Sequence, residues 1–70
     1  MNKERRKQIK EAIAELRKQV NYLDLIISDE EEAAENMINM MHQTDSEEAI
    51  DKLEEAKDII EEAIDVLSEI

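Results

Sequence analysis

The second half of the chain repeats a seven-residue pattern of apolar and charged positions. From Ala49 onward, large apolar residues recur at alternating intervals of three and four, which is the a and d spacing of a heptad. Ile59 and Val66 at c positions widen this apolar stripe, and a wide stripe predicts contact with more than one neighbouring helix. The rows are Ile50, Lys57 and Ile64 at a, Leu53, Ile60 and Leu67 at d, and Ala49, Ala56 and Ala63 at g.

The first half keeps the same spacing over a longer stretch. Glu30, inside the acidic segment Ser28–Glu32, is the one interruption of its rows. We interpret the stretch as one continuous helix, because no glycine or proline forces a break and the heptad phase continues across it. The alternative is a new helix start near 28–29, where Ser28 and Glu31 fit a capping box. The rows are Ile9, Leu16, Leu23 and Met37, and Ile13, Val20, Ile27, Ala34 and Met41.

These patterns predict two helices joined by a short connection. Thr44 and Glu47 fit a capping box, which places a helix at about 3–41, a connection at about 42–45 and a second helix at about 46–69. The helices would measure roughly 58 Å and roughly 36 Å at 1.5 Å per residue. A short connection makes them antiparallel. The predicted fold class is all-α, a single helical-hairpin domain over residues 1–70 with heptad-like packing.

The predicted core is too small for one chain to stand alone. Helices of unequal length with broad apolar faces cannot cover each other, and a chain of 70 residues has little core to offset its conformational entropy. We therefore expect a homo-oligomeric helical bundle, most simply a dimer. Its interface is expected to include Leu16, Val20, Leu23, Ile27, Met37, Met41, Ile60, Ile64 and Leu67.

Charge is divided unevenly along the chain. Twenty acidic and nine basic residues give a net charge of −11, with +4 on residues 1–20 and −15 on residues 21–70. Antiparallel pairing is expected to bring the basic start beside Glu61, Glu62 and Glu69. The negative charge and the near-absence of aromatic residues argue against direct nucleic-acid binding. The longest apolar run, Leu25–Ile27, is too short to span a membrane, and we expect a cytoplasmic protein.

Composition excludes most catalytic and cofactor chemistry. Without cysteine or glycine there is no disulfide, no cysteine-based zinc site and no phosphate-cradling loop. His42 is the only histidine, and Asn39 stands three residues before it, where a carboxylate metal site in a bundle has glutamate. We predict no catalytic residue, no metal site and no cofactor, and we expect that the chain is not an enzyme.

Arg5, Arg6 and Lys10 are the candidate ligand-binding residues. Guanidinium groups bind phosphate bidentately, and an arginine pair is conspicuous in so acidic a chain. The alternative is that these residues solubilise the helix start or pair with glutamates. Tyr22, the only aromatic residue, lies at a c position and is interpreted as a half-buried interface residue or as a platform for a planar ligand.

Three segments resemble a group of small acidic helical proteins encoded by phages and prophages of Gram-positive bacteria. They are Met1-Asn2-Lys3-x-Arg5-Arg6, the middle Asp29–Ala33 with Asn36-Met37, and the tail Ser46–Ala56. The group often has a proline after the Asn-Met pair and a Glu-Arg-Gly run after the serine, where this chain has Ile38 and Glu47–Ala49. The resemblance implies a phage accessory protein, acting in the host cytoplasm by stoichiometric binding against a host defence.

Three functions follow as hypotheses. The first is sequestration of a small anionic, nucleotide-type signal between subunits, with phosphates held by Arg5, Arg6 and Lys10. The second is an acidic module that mimics nucleic acid and blocks a basic host protein, such as a nuclease or a DNA-binding factor. The third is a structural oligomerisation module without a ligand. In all three the chain is non-enzymatic and does not enter a membrane.

Overall fold

The computed structural model describes residues 1–36 and 40–70 as two helices packed side by side in opposite directions. Helix α1 is Lys3–Glu35 and helix α2 is Met40–Ser68. The Cα atoms extend over 56 × 15 × 10 Å, so the hairpin is a flat rod. The predicted all-α hairpin is confirmed, and its assembly into a bundle stays a prediction.

Helix α1 begins at an asparagine cap and runs unbroken through the acidic segment. The Oδ1 atom of Asn2 accepts a hydrogen bond from the backbone N–H of Arg5 at 2.8 Å, which satisfies one of the free donors of the first turn. The helix continues through residues 28–32. The continuous-helix interpretation is therefore confirmed, and the alternative of a new start at 28–29 is wrong.

The end of α1 lies six residues before the predicted one. Asn36 caps it, with its backbone N–H directed at the carbonyls of Glu32 and Ala33 and its side-chain amide donating to the Glu32 carbonyl at 3.0 Å. An asparagine side chain that bonds nearby backbone offers the chain an alternative to continuing the helix. The predicted end of the helix near residue 41 is wrong for this reason.

The predicted connection at 42–45 is also wrong, because those residues lie inside α2. Thr44 and Glu47 are both helical, so they form no capping box at a helix start, and Ser46 is buried at 3% exposure in the d row. The two helices are 33 and 29 residues long. At 1.5 Å per residue they measure about 50 and about 44 Å, so the large length mismatch expected from sequence is absent.

The seam between the helices follows the predicted heptad rows. Ile27 and Ile64 are the buried apolar residues of the described part, at 7% and 6% exposure. Apart from the exposed g residues Ala49, Ala56 and Ala63, the other described residues of the rows are half-buried, including the charged Glu30 and Lys57. The half-buried apolar members are Ile9, Ile13, Leu16, Val20, Leu23, Ala34, Ile50, Leu53, Ile60 and Leu67, and Ile26 beside the rows is half-buried as well.

The residues expected at an oligomer interface thus lie mainly between the two helices of one chain. Ile27 and Ile64 are buried there, and Leu16, Val20, Leu23, Ile60 and Leu67 are half-buried beside them. Met37 and the side chain of Met41 lie outside the described residues. One hairpin therefore covers these side chains only in part.

Candidate functional site

The start of α1 and the end of α2 meet at the open end of the hairpin, opposite the connection. The Nη1 atom of Arg6 donates a hydrogen bond to the backbone carbonyl of Ile70 at 3.3 Å, across 64 positions of sequence. This contact holds the basic start of the chain against the last residues of the other helix. It also places the positive charge of Arg6 beside backbone carbonyls at the C-terminal end of α2, where a cation is stabilising.

A groove of about 300 Å³ lies between the helices at this open end. Arg6 and Lys10 are its cationic lining residues, and they lie one helical turn apart on α1. The hydroxyl of Ser68 adds a polar group, although it already donates to the Ile64 carbonyl at 2.8 Å. The rest of the lining is apolar: Ile9, Ile13, Leu67 and Ile70.

The structure separates the three predicted ligand-binding residues. Arg6 and Lys10 line the same groove. Arg5 is exposed like them, but it lies outside the lining of that groove. Arg6 and Lys10 occupy the a and e positions of α1, which face the seam and one flank, while Arg5 occupies g on the other flank. The sequence identified the basic cluster, but only the helix register shows which members share a cavity.

In the described residues, basic side chains of the first 20 positions lie near acidic residues of α2 without forming the expected pairs with them. Among the described residues, no basic side chain of positions 1–20 forms an ion pair with α2. Arg17 and Asn21 do line a second groove, of about 350 Å³, with Glu61 and Asp65. The basic start itself contacts Ile70, and within the described part of the chain it forms no ion pair with Glu61, Glu62 or Glu69.

One ion pair joins the two helices within the described part of the chain. The Nζ atom of Lys57 lies 2.8 Å from Oδ1 of Asp24, and the lysine side chain is 27% exposed. The hydrogen bond to Asp24, followed by the attraction of that carboxylate, raises the pKa of Lys57 above its ordinary value of 10.5. This pair fixes the alignment of α1 against α2 near the middle of the rod.

Sequence reasoning missed the contribution of α2 to the groove. Leu67, Ser68 and Ile70 are three of its seven lining residues, and nothing in their own pattern marks them as part of a binding groove. In the described part of the chain, no three histidine, cysteine or carboxylate side chains are grouped to hold a metal ion. No described helix is long and apolar enough to cross a membrane.

Comparisons with protein-family models, with curated proteins and with solved structures found no match to this chain.

Proposed function

We propose that the protein is a stoichiometric binding protein that takes a small anionic, nucleotide-type ligand in the groove at the open end of the hairpin. The observation that supports this is the pairing of Arg6 and Lys10 over a floor of isoleucine and leucine. The two cations suit a phosphate, and the apolar floor suits a base or another flat apolar group. In the phage setting that the resemblance implies, such binding would withdraw a signal from a host defence.

The charge distribution favours this end of the rod over any other. Residues 21–70 carry seventeen acidic side chains and two basic ones, and their carboxylates repel an anion. Residues 1–10 carry five basic side chains against one glutamate. Electrostatic steering would therefore guide an anion to the groove that Arg6 and Lys10 line. The groove is open to solvent, so salt would weaken the binding.

Calorimetric titration of the full chain tests this proposal with adenosine and guanosine mononucleotides, cyclic dinucleotides and inorganic phosphate as the probes. We expect a nucleotide to bind and the double change Arg6→Glu with Lys10→Glu to abolish the binding. Arg5→Glu with Lys7→Glu is the matched control, because it makes the same charge change on the same helix and outside the groove. Equal loss in the control would show general charge attraction, and no binding by any probe would contradict the proposal.

A second candidate function is an acidic module that occupies the basic groove of another protein. Sixteen of the seventeen acidic residues at positions 21–70 are exposed, and only Glu30 is half-buried. Their carboxylates cover most of α2 away from the seam, as a mimic of phosphate rows requires. This function predicts capture of a basic partner that weakens steeply with salt and is unaffected by Arg6→Glu with Lys10→Glu.

A further inference from the structure

Several large apolar side chains remain exposed on the hairpin. Ile59 and Val66 of α2 are 60% and 57% exposed, and Tyr22 of α1 is 61% exposed. Ile59 and Val66 occupy c positions beside the exposed g residues Ala56 and Ala63, so these four residues form one row along the helix. Tyr22 is exposed in a single hairpin, and its predicted half-buried place at an interface stays a prediction.

The two flanks of the seam differ in chemistry. Arg17 and Asn21 of α1 share one groove with Glu61 and Asp65 of α2, so the e and b positions of both helices lie on the same flank. On each helix, the e and b positions lie to one side of the seam. The c and g positions point about 100° away from the seam in the opposite sense, so those of both helices share the other flank. One flat side of the rod is thus mainly charged, and the other carries the exposed apolar residues among a few charged ones, such as Glu15, Asp29 and Lys52.

The exposed apolar residues of the two helices meet on this flank near the middle of the rod. The Lys57–Asp24 contact fixes the alignment, and it sets Tyr22 level with Ile59 and Ile26 level with Ala56. Val66 extends the surface along α2 towards the open end, where the exposed Glu15 lies level with it on α1. We define this apolar face by its members: Tyr22, Ile26, Ala56, Ile59, Ala63 and Val66.

We infer that the apolar face is the contact surface for a second copy of this chain, which joins two hairpins into a four-helix bundle. The flat side that carries this face and the half-buried edge of the seam measures 56 × 15 Å between Cα atoms, or on the order of 800 Å² in all. A contact along its whole length therefore offers each partner about the area that a stable dimer buries. The charged flank of each copy stays in water in this arrangement. A single hairpin buries only two apolar residues in its described part, so the second copy supplies the missing core.

The proposed interface differs from the interface expected from sequence in one specific way. The described a and d residues named there are buried or half-buried between the helices of one chain, whereas Tyr22, Ile59 and Val66 at c positions are exposed. A second copy that packs on the c and g flank also shields the half-exposed edge of the seam from that side. The contact joins like-charged molecules, so apolar burial has to outweigh repulsion between two copies of net charge −11.

Sedimentation velocity of the full chain without ligand, from micromolar to millimolar concentration, tests the inference. We expect a dimer that Ile59→Glu or Val66→Glu weakens by roughly tenfold or more, because each variant would bury an unpaired carboxylate. Ala14→Glu is the matched control, since it adds the same charge at an exposed b position on the opposite flank. Circular dichroism shows whether each variant keeps its helices.

Tyr22 gives an independent measurement, because it is the only aromatic residue and its fluorescence reports on this face alone. Iodide should quench Tyr22 less as the concentration rises and the dimer forms. A chain that stays monomeric would overturn the inference, and so would a dimer that leaves Tyr22 fully quenched or responds equally to Ala14→Glu. Because no nucleotide is present and Arg6 and Lys10 are unchanged, these outcomes are separate from the test of the proposed function.

Discussion

Lys57 is the residue at which the heptad pattern and the physical chemistry of the seam conflict most. It occupies an a position, where an aliphatic residue would pack, and it places an ammonium group against a half-buried surface. A polar residue at one a position commonly fixes the register of paired helices at some loss of stability. The contact of Lys57 with Asp24 has this effect, because neighbouring heptads are otherwise similar enough to allow a slipped alignment.

Lys57→Leu should raise the midpoint of thermal unfolding and make the alignment of the helices less specific. Leucine extends the apolar seam, while Asp24 is 50% exposed and stays hydrated without its partner. Differential scanning calorimetry gives the midpoint. Lys52→Leu serves as the control, since that lysine is 83% exposed on the same helix and should change the midpoint little. A lower midpoint for Lys57→Leu would contradict the argument.

The raised pKa of Lys57 predicts a loss of stability at alkaline pH. A lysine whose pKa is higher in the folded state stabilises the fold below its ordinary value of 10.5, and this contribution disappears as the pH rises through the folded-state value. Between about pH 9 and about pH 12, the native chain should therefore lose more stability than Lys57→Leu. Urea unfolding across that range measures the difference, and parallel curves for the two proteins would count against it.

At the scale of the helices, the seam was predictable and the ends were not. The rows from Ile9 to Ala34 and from Ile50 to Leu67 match the half-buried residues, because burial follows the heptad period over many turns. A helix end depends on local bonds that contribute only about 1 kcal/mol, so packing can override a favourable cap. Thr44 illustrates this, because it fits a capping box with Glu47 and yet lies inside α2.

The groove, like the helix ends, was only partly predictable from the sequence. The charge of Arg6 and Lys10 is plain from sequence, but two of their four apolar neighbours, Leu67 and Ile70, come from about 60 positions away. The location of the turn decides which of those residues lie opposite. A connection at 42–45 instead of near Asn36 would shift the register of α2 by several residues and bring different side chains to the open end.

Asp45→Pro tests where the connection lies. Residue 45 is inside α2, so proline removes a backbone hydrogen bond and collides with the preceding turn, which costs about 3 kcal/mol or more. In a connection at 42–45 the same proline would be tolerated. Chemical denaturation gives the free energy of unfolding, and Asp45→Ala, at the same exposed position, should be close to neutral. A stable proline variant would refute the helix assignment at this residue.

At the scale of the whole molecule, the hairpin is an elongated and highly charged rod. Its radius of gyration is 16.5 Å, whereas a compact domain of this length has a value of about 11 Å. The elongated shape gives a large surface for 70 residues and leaves the apolar face uncovered. Net charge and apolar exposure therefore act in opposite directions on association, since the first separates copies and the second draws them together.

Added salt should consequently strengthen association of the chain with itself. Screening reduces repulsion between copies of charge −11 and leaves apolar burial intact, so the dimer should tighten between about 0.02 and about 0.5 M sodium chloride. Sedimentation equilibrium at fixed protein concentration measures the change. Ala14→Glu, which adds one charge away from the apolar face, should show a similar trend. Weaker association at high salt would mean that charge pairs hold the copies together.

The contact between Arg6 and Ile70 has a consequence for the order in which the hairpin closes. It joins positions 64 residues apart, so it closes the largest loop in the described structure and forms after contacts near the connection. The open end should accordingly be the first part to fray, and its amide protons should exchange fastest with solvent. A ligand in the groove would slow that exchange at both chain ends, so binding would be visible as kinetic protection far along the sequence from Arg6.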